Sequence, residues 1–236
     1  MTQSENENEL HMIIKMLLST TVWLAAMAAV MFAAAGTLAW PQGWTFIAIM
    51  GAASFGGGFW LARRDPALLA ERLGAPFQRE QERPDKIFMT TLMILWIVWY
   101  VLMPLDAVRF RLSHLPVWAQ VIGALLIVLA IYAFYLTFRE NSFAAPVVKI
   151  QKERGQTVIT TGPYAYVRHP MYAGAILYFV GTPLLLGSAY GLALAPLLVI
   201  VMSFRIPIEE RALREKLDGY ADYAARVRYR LIPGVW

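Results

Sequence analysis

The chain has 236 residues, a net charge of +5, and 58% hydrophobic against only 16% charged residues. Soluble domains run at about half apolar and about a quarter charged, so an ordinary soluble protein is excluded, and the length points to one domain. There is no cysteine, which excludes disulfides, thiolate catalysis and Cys-ligated zinc.

The chain opens on "MTQSENENELHMIIK", which is acidic and polar. A secretory signal would begin with a basic segment and end at a small-residue cleavage site, so the first apolar span is expected to be retained. No charge falls between Lys15 and Arg63, Lys86 and Asp106, Arg111 and Arg139, or Arg168 and Arg205. Each gap holds one or two spans of about 20 residues, the length that crosses the hydrocarbon. The first gap breaks at Pro41-Gln42-Gly43, predicting spans over Ile13 to Trp40 and Trp44 to Ala62. Gly56-Gly57-Gly58 in the second predicts close helix packing or a kink. A phosphate-cradling loop would need a following Lys-Ser/Thr, which is absent.

The 63–86 loop carries six basic and five acidic residues. Asp65 can cap a short surface helix with Pro66 in its first position and Gly74 closing it, followed by a solvated link. The third span is predicted over Ile87 to Leu105 and the fourth over Pro116 to Phe138.

In the 139–169 loop, "QTVITTGPY" joins β-branched residues to a Gly-Pro turn, predicting an extended segment. Pro170 suits the first position of the next helix. The free amides of that helix start, with Arg168 and His169, would form an anion site. A break at Gly187-Ser188 divides the last gap into Met171 to Leu186 and Tyr190 to Phe204. This short pair reads either as a tight hairpin of two spans or as helices partly buried in protein. In the tail, Leu213, Leu217, Tyr220, Ala224 and Val227 recur at helical spacing, predicting an amphipathic helix along the membrane surface. Arg205 and Glu209 share a face if the last span continues, with Pro207 between them as a potential bend.

Six spans place nineteen of the 21 Lys and Arg residues on one side and leave Arg109 and Arg111 on the other. The positive-inside asymmetry makes the basic side, with both termini, cytoplasmic. Trp40, Trp44, Trp60 and Trp118 fall near span ends, as an aromatic belt does. Topology and attraction to anionic lipid headgroups account for the net charge, and no basic soluble module for nucleic acid is present. The fold class is therefore all-α: a polytopic integral membrane protein of about six transmembrane helices, with a C-terminal helical hairpin and an amphipathic cytoplasmic tail helix. Residues 1–138 form the N-terminal spans and 139–236 a C-terminal core. A bacterial-type inner (plasma) membrane is the expected location.

Taken singly, Arg168 reads as a snorkelling residue, the tyrosines as interfacial anchors and Glu209-Glu210 as a solvated helix face. Together they flank one charge-poor hairpin, which returns "RIPIEER" beside "GPYAYVRHPMY". The joined clusters offer a cation and helix amides for a carboxylate, aromatic faces, and a glutamate for a cation or ribose. A zwitterionic aromatic cofactor with a positive centre suits such a pocket, and its membrane flank can admit a lipidic partner. The histidines are His11, His114 and His169; they form no paired-His motif for a metal. Gly-x-Ser-x-Gly is also missing. Transporters use polar or broken helices at mid-membrane, whereas the polar groups here cluster at the interface.

"QTVITTGPYAYVRHPMYAG", an apolar hairpin, and "RIPIEERALREKLDGYADYAARV" resemble the isoprenylcysteine carboxyl methyltransferase family, over about Asn141 to Pro233. The resemblance implies an integral membrane enzyme using S-adenosylmethionine, within a superfamily that includes phospholipid methyltransferases. It implies that Gln156, Thr157, Val158 and Ile159 line the cofactor site, with Tyr164 and His169-Pro170-Met171-Tyr172 as further contacts. Glu209 matches a cofactor-binding glutamate and Arg205 an arginine for the substrate carboxylate, which makes these two the catalytic candidates. Lys149 departs from the family's glutamine, and Pro207 interrupts the Arg-to-Glu helix. Methyl transfer from a sulfonium to an ionised carboxylate needs no general base; positioning and exclusion of water carry it. An amine acceptor would need to lose a proton, to Glu209 or Glu210. The implied function is O-methylation of an isoprenylcysteine-like lipophilic carboxylate. The competing readings are N-methylation of a phospholipid amine headgroup and a non-catalytic membrane subunit or small-molecule carrier of the same fold.

Overall fold

The computed structural model describes residues 3–74 and 83–236. Among them the chain is helical, without strand. The helices are α1 (Gln3–Ala35), α2 (Pro41–Arg64), α3 (Pro66–Arg72), α4 (Arg83–Pro104), α5 (Val117–Glu140), α6 (Pro170–Leu186), α7 (Ala189–Lys216) and α8 (Tyr220–Arg226). Five segments are long and apolar enough to cross a membrane: 9–35, 41–64, 85–109, 117–140 and 189–216; α6 is a shorter apolar helix. The chain is an integral membrane protein.

Helix ends follow local chemistry. The first span was expected to reach Trp40 but stops at Ala35, because Gly36 turns left-handed (φ 73°) and its N–H closes on Phe32 O at 2.9 Å, a glycine helix stop. Pro41 then starts α2 in the first-turn position that tolerates proline. Trp40, expected in an interfacial belt, is buried, whereas Trp44 and Trp118 are exposed. Asp65 caps α3, accepting from Leu68 N at 2.9 Å, with Pro66 next, as read from the sequence. That helix is docked rather than free on the surface: Leu68 and Leu69 are buried with Met16, Leu61 and Ala144. The solvated link expected after it falls largely on 75–82, outside the described residues.

α4 ends in a π-helical turn, Leu105–Arg109. Asp106 is buried there and accepts from Ser113 Oγ (2.7 Å), Ser188 Oγ (2.6 Å) and Tyr190 N (3.2 Å). It pins the α6–α7 turn, where Gly187 is left-handed (φ 83°) and Ser188 caps α7 through Gly191 N at 2.9 Å. The hairpin is thus tight, and α6 is also largely enclosed by protein, so both sequence alternatives hold in part. At 1.5 Å per residue α6 is about 25 Å long, short of the roughly 30 Å hydrocarbon; ten of its 17 residues are buried. α7 runs 28 residues, through Pro196 and Pro207, and ends at Lys216 rather than Phe204. Its last three turns therefore continue the span and carry Arg205 and Glu209 on one rigid helix.

α5 and α6 touch most extensively, backbone to backbone. A Cβ on Gly123 would lie 2.3 Å from Leu185 N and 2.6 Å from Gly181 O. In the triple glycine only Gly58 packs, against Met16 Sδ; nothing lies within 4 Å of a Cβ at Gly56 or Gly57. Gly123→Ala is expected to lower stability by about 1–3 kcal/mol through overpacking. Gly57→Ala should be neutral, or stabilising by up to about 1 kcal/mol through helix propensity. Thermal unfolding in detergent checks the pair.

Candidate active site

α6, the end of α7, α8 and the segment 141–169 enclose one cleft. The eleven residues that the family resemblance implies line it: Gln156, Thr157, Val158, Ile159, Tyr164, His169, Pro170, Met171, Tyr172, Arg205 and Glu209; Glu210, also read from the sequence, does not. The cleft has about 100 Å3 of freely accessible interior within about 880 Å3 of unfilled space counted out to its open mouth.

The loop wall is held by its own polar side chains. Gln151 N donates to Gln156 Oε1 at 2.7 Å, and Gln151 Nε2 to Phe143 O at 2.9 Å. Arg154 donates to Ser142 O at 3.0 Å and Ser142 Oγ at 2.7 Å. The N-terminal half braces this wall from outside. Glu71 pairs with Lys149 at 2.7 Å, and Arg72 donates to Ala144 O at 3.2 Å over the Phe138 ring. Burial brings the Arg72 guanidinium down to about 10, still charged at neutral pH. Lys149 thus lines the cleft with its ammonium turned to α3.

Gly162 takes a left-handed φ of 56° and opens a single turn, Gly162–Ala165, that presents Tyr164. Its hydroxyl accepts from Asn141 Nδ2 at 2.8 Å. Tyr223 donates to Tyr164 O at 2.8 Å. Burial raises the Tyr164 phenol and takes Tyr223 to about 12, so both stay protonated. α8 lies with its apolar face on Ile150, Val158 and Tyr164. The tail expected along the membrane surface is instead folded over the cleft, because the loop offers it an apolar partner.

Pro170 starts α6, with His169 as the capping residue. The expected anion site at this helix start is altered, since the Arg168 guanidinium is turned inward. It donates to Glu210 Oε1 (2.6 Å), Val227 O (2.7 Å) and Arg228 O (2.9 Å). The backbone N–H groups of Arg168 and His169 donate to Tyr229 O and Arg230 O at 3.0 and 2.9 Å. Glu210 is buried, 3.2 Å from His169 Nε2 and 3.3 Å from Arg230 Nε. It is the hub that fastens the tail, not part of a solvated face. Glu209 faces the cleft; Tyr172 donates to its Oε2 at 2.7 Å, and the His169 ring stacks on Tyr172 with centroids 5.5 Å apart.

Arg205 lines the cleft, but its Nε donates to Asp85 Oδ1 at 2.8 Å and its Nη2 to Pro146 O at 2.7 Å. Asp85 is fully buried, is not part of the cleft lining, and accepts from Val148 N at 3.1 Å. Sequence reasoning missed this aspartate: nothing local marks it, and its partner lies 120 positions away. Tyr220 reads from the sequence only as part of an apolar stripe, and Tyr223 is not marked there at all, though both line the cleft. The Tyr220 hydroxyl is buried and, among the described residues, has no hydrogen-bond partner. Such an orphan costs about 1–3 kcal/mol, and its position in the cleft lining fits a polar ligand.

Residues 118–218 match the family described as phospholipid methyltransferase. The chain is 36% identical over 83 residues to protein-S-isoprenylcysteine O-methyltransferase B of Arabidopsis thaliana, covering 34% of this chain and 42% of that protein. It is 33% identical over 113 residues to the Saccharomyces cerevisiae protein-S-isoprenylcysteine O-methyltransferase, covering 45% and 46%. It therefore spans less than half the length of either curated relative. A solved structure of the eukaryotic intramembrane Ras methyltransferase ICMT aligns over 92% of this chain and 75% of that one, at 19% identity and a TM-score of 0.46. Residues 118–218 thus match the phospholipid methyltransferase pattern, and segments of 83 and 113 residues are similar to protein-S-isoprenylcysteine O-methyltransferases.

Proposed function

We propose that the protein is an S-adenosylmethionine-dependent methyltransferase that O-methylates the carboxylate of an isoprenylcysteine-like lipophilic acceptor at the cytoplasmic face of a bacterial-type inner membrane. The observation that supports this reading is that the eleven residues implied by the family resemblance line one cleft. The donor set fits the cofactor: protonated phenols, one accessible carboxylate at Glu209 and apolar walls at Val158, Ile159 and Met171 match a molecule that is part aromatic, part zwitterion. When bound, S-adenosylmethionine supplies an activated methyl on a sulfonium. Residues 139–236 form the methyl-donor core, and the N-terminal spans of 1–138 brace it.

Each residue's task follows from its partners. Glu209, held by Tyr172, attracts a cationic or hydroxyl-bearing part of the donor. Arg205 keeps its Nη1 edge clear of hydrogen bonds among the described residues, so that edge can orient an acceptor carboxylate. An ionised carboxylate needs no base, and positioning by fixed donors is enough. Ile87 and Phe204, near Asp85 and Arg205 in sequence, are exposed apolar side chains, which suits an acceptor that arrives from lipid.

The family pattern of 118–218 favours a second reading, phospholipid amine N-methylation, in which Glu209 would take the ammonium proton. Glu210 is unsuited, being held by Arg168, His169 and Arg230. Purified protein with methyl-labelled S-adenosylmethionine distinguishes the readings. Base-labile label on a farnesylated cysteine is expected. Label retained in a phospholipid headgroup after base treatment would support the second reading, and transfer to neither would refute both.

A further inference from the structure

We infer that Tyr220 is a donor-binding residue: its phenol hydroxyl is held without a protein partner so that it can hydrogen-bond a polar atom of the bound methyl donor. The inference rests on the proposed methyl-donor cleft and adds a contact the sequence motifs do not include. Tyr220 is 4% exposed, yet it lines the cleft. Its hydroxyl is the buried side-chain polar atom left without a partner among the described residues.

The neighbourhood explains why the hydroxyl is not satisfied internally. α8 begins at Tyr220 after Gly219, whose left-handed φ of 81° sets the turn out of α7. The ring packs edge-on against Tyr223, with centroids 5.7 Å apart. Tyr223 spends its own hydroxyl on Tyr164 O, and Tyr164 has Asn141. Glu210 is committed to Arg168, His169 and Arg230, and Glu209 to Tyr172. Three of the cleft's tyrosines are therefore bonded to protein, and the fourth is buried in the same wall with its donor unspent. A phenylalanine would fill the same space at no polar cost, so the hydroxyl has a use only when something polar enters.

A binding role and a structural role for the hydroxyl predict effects of opposite sign. In the ligand-free protein, Tyr220→Phe removes an unsatisfied polar group and should leave the thermal midpoint unchanged or raise it by about 2–4 °C. In the same protein, affinity for S-adenosylhomocysteine, the probe, should fall about 5- to 20-fold by calorimetry, and the ligand-induced rise in midpoint should shrink accordingly. Tyr223→Phe serves as the contrast, since it loses a bond to protein and should lower the ligand-free midpoint. Unchanged probe affinity in Tyr220→Phe, or a lowered ligand-free midpoint, would overturn the inference while leaving the methyl-donor reading intact. Failure of the unmutated protein to bind the probe would overturn both.

Discussion

Asp85→Ala should cost the protein at least about 100-fold in kcat/KM while leaving S-adenosylhomocysteine affinity within about threefold. Asp85 sits behind Arg205, outside the cleft, and takes its Nε–H at 2.8 Å. It also takes Val148 N at 3.1 Å. One carboxylate thus fixes both the guanidinium and a segment of the cleft wall. Removing it leaves a buried cation unpaired, and breaking a buried pair costs about 3–5 kcal/mol. A misplacement of about 1 Å at a reacting centre can itself cost about 100-fold. If the loss falls on acceptor turnover and not on donor affinity, Asp85 positions Arg205; equal loss of both would show a collapse of the whole site. Asp85→Asn keeps an acceptor for Arg205 and should fall between the alanine variant and the unmutated protein in steady-state kinetics.

The adjacent glutamates should separate stability from binding. Glu210→Ala removes the partner of Arg168, His169 and Arg230 at once. It is expected to destabilise by about 3–5 kcal/mol, lowering the midpoint by roughly 10 °C and opening the segment after α8 to limited proteolysis. Glu209→Gln loses a carboxylate that is 29% exposed and whose hydrogen-bond partner is Tyr172. Its midpoint should move by less than about 2 °C, while donor affinity falls about tenfold. If the two variants exchanged these behaviours, the assignment of hub and ligand contact would be reversed.

The sequence carried the helical spans and the cleft's inner face for different reasons. Charge-free gaps are long-range and robust, so the spans were legible to within a few residues, apart from the stop at Gly36 and the run of α7 past Phe204. The convergence of His169 with Arg205 and Glu209 was legible because Gly187 and Ser188 announce a tight return. What lay hidden were the partners. Whether Arg168 meets solvent or Glu210, and whether Asp85 meets Arg205, depends on pairings 42 and 120 positions apart, with no local pattern. The α8 face was read correctly as apolar, but periodicity does not say what covers it. Lipid was assumed where Ile150, Val158 and Tyr164 supply the contact. The N-terminal half carried no motif, yet it supplies Glu71, Arg72 and Asp85 to the outer wall of the site.

Photo-cross-linking of radiolabelled S-adenosylmethionine to the purified full chain, followed by peptide mapping, locates the methyl donor. Label should appear on peptides covering 156–172 and 205–223, and excess S-adenosylhomocysteine should compete it away. Label on the opposite end of the bundle, around 36–42 or 107–120, or label that the competitor does not displace, would contradict the assignment of this cleft to the methyl donor.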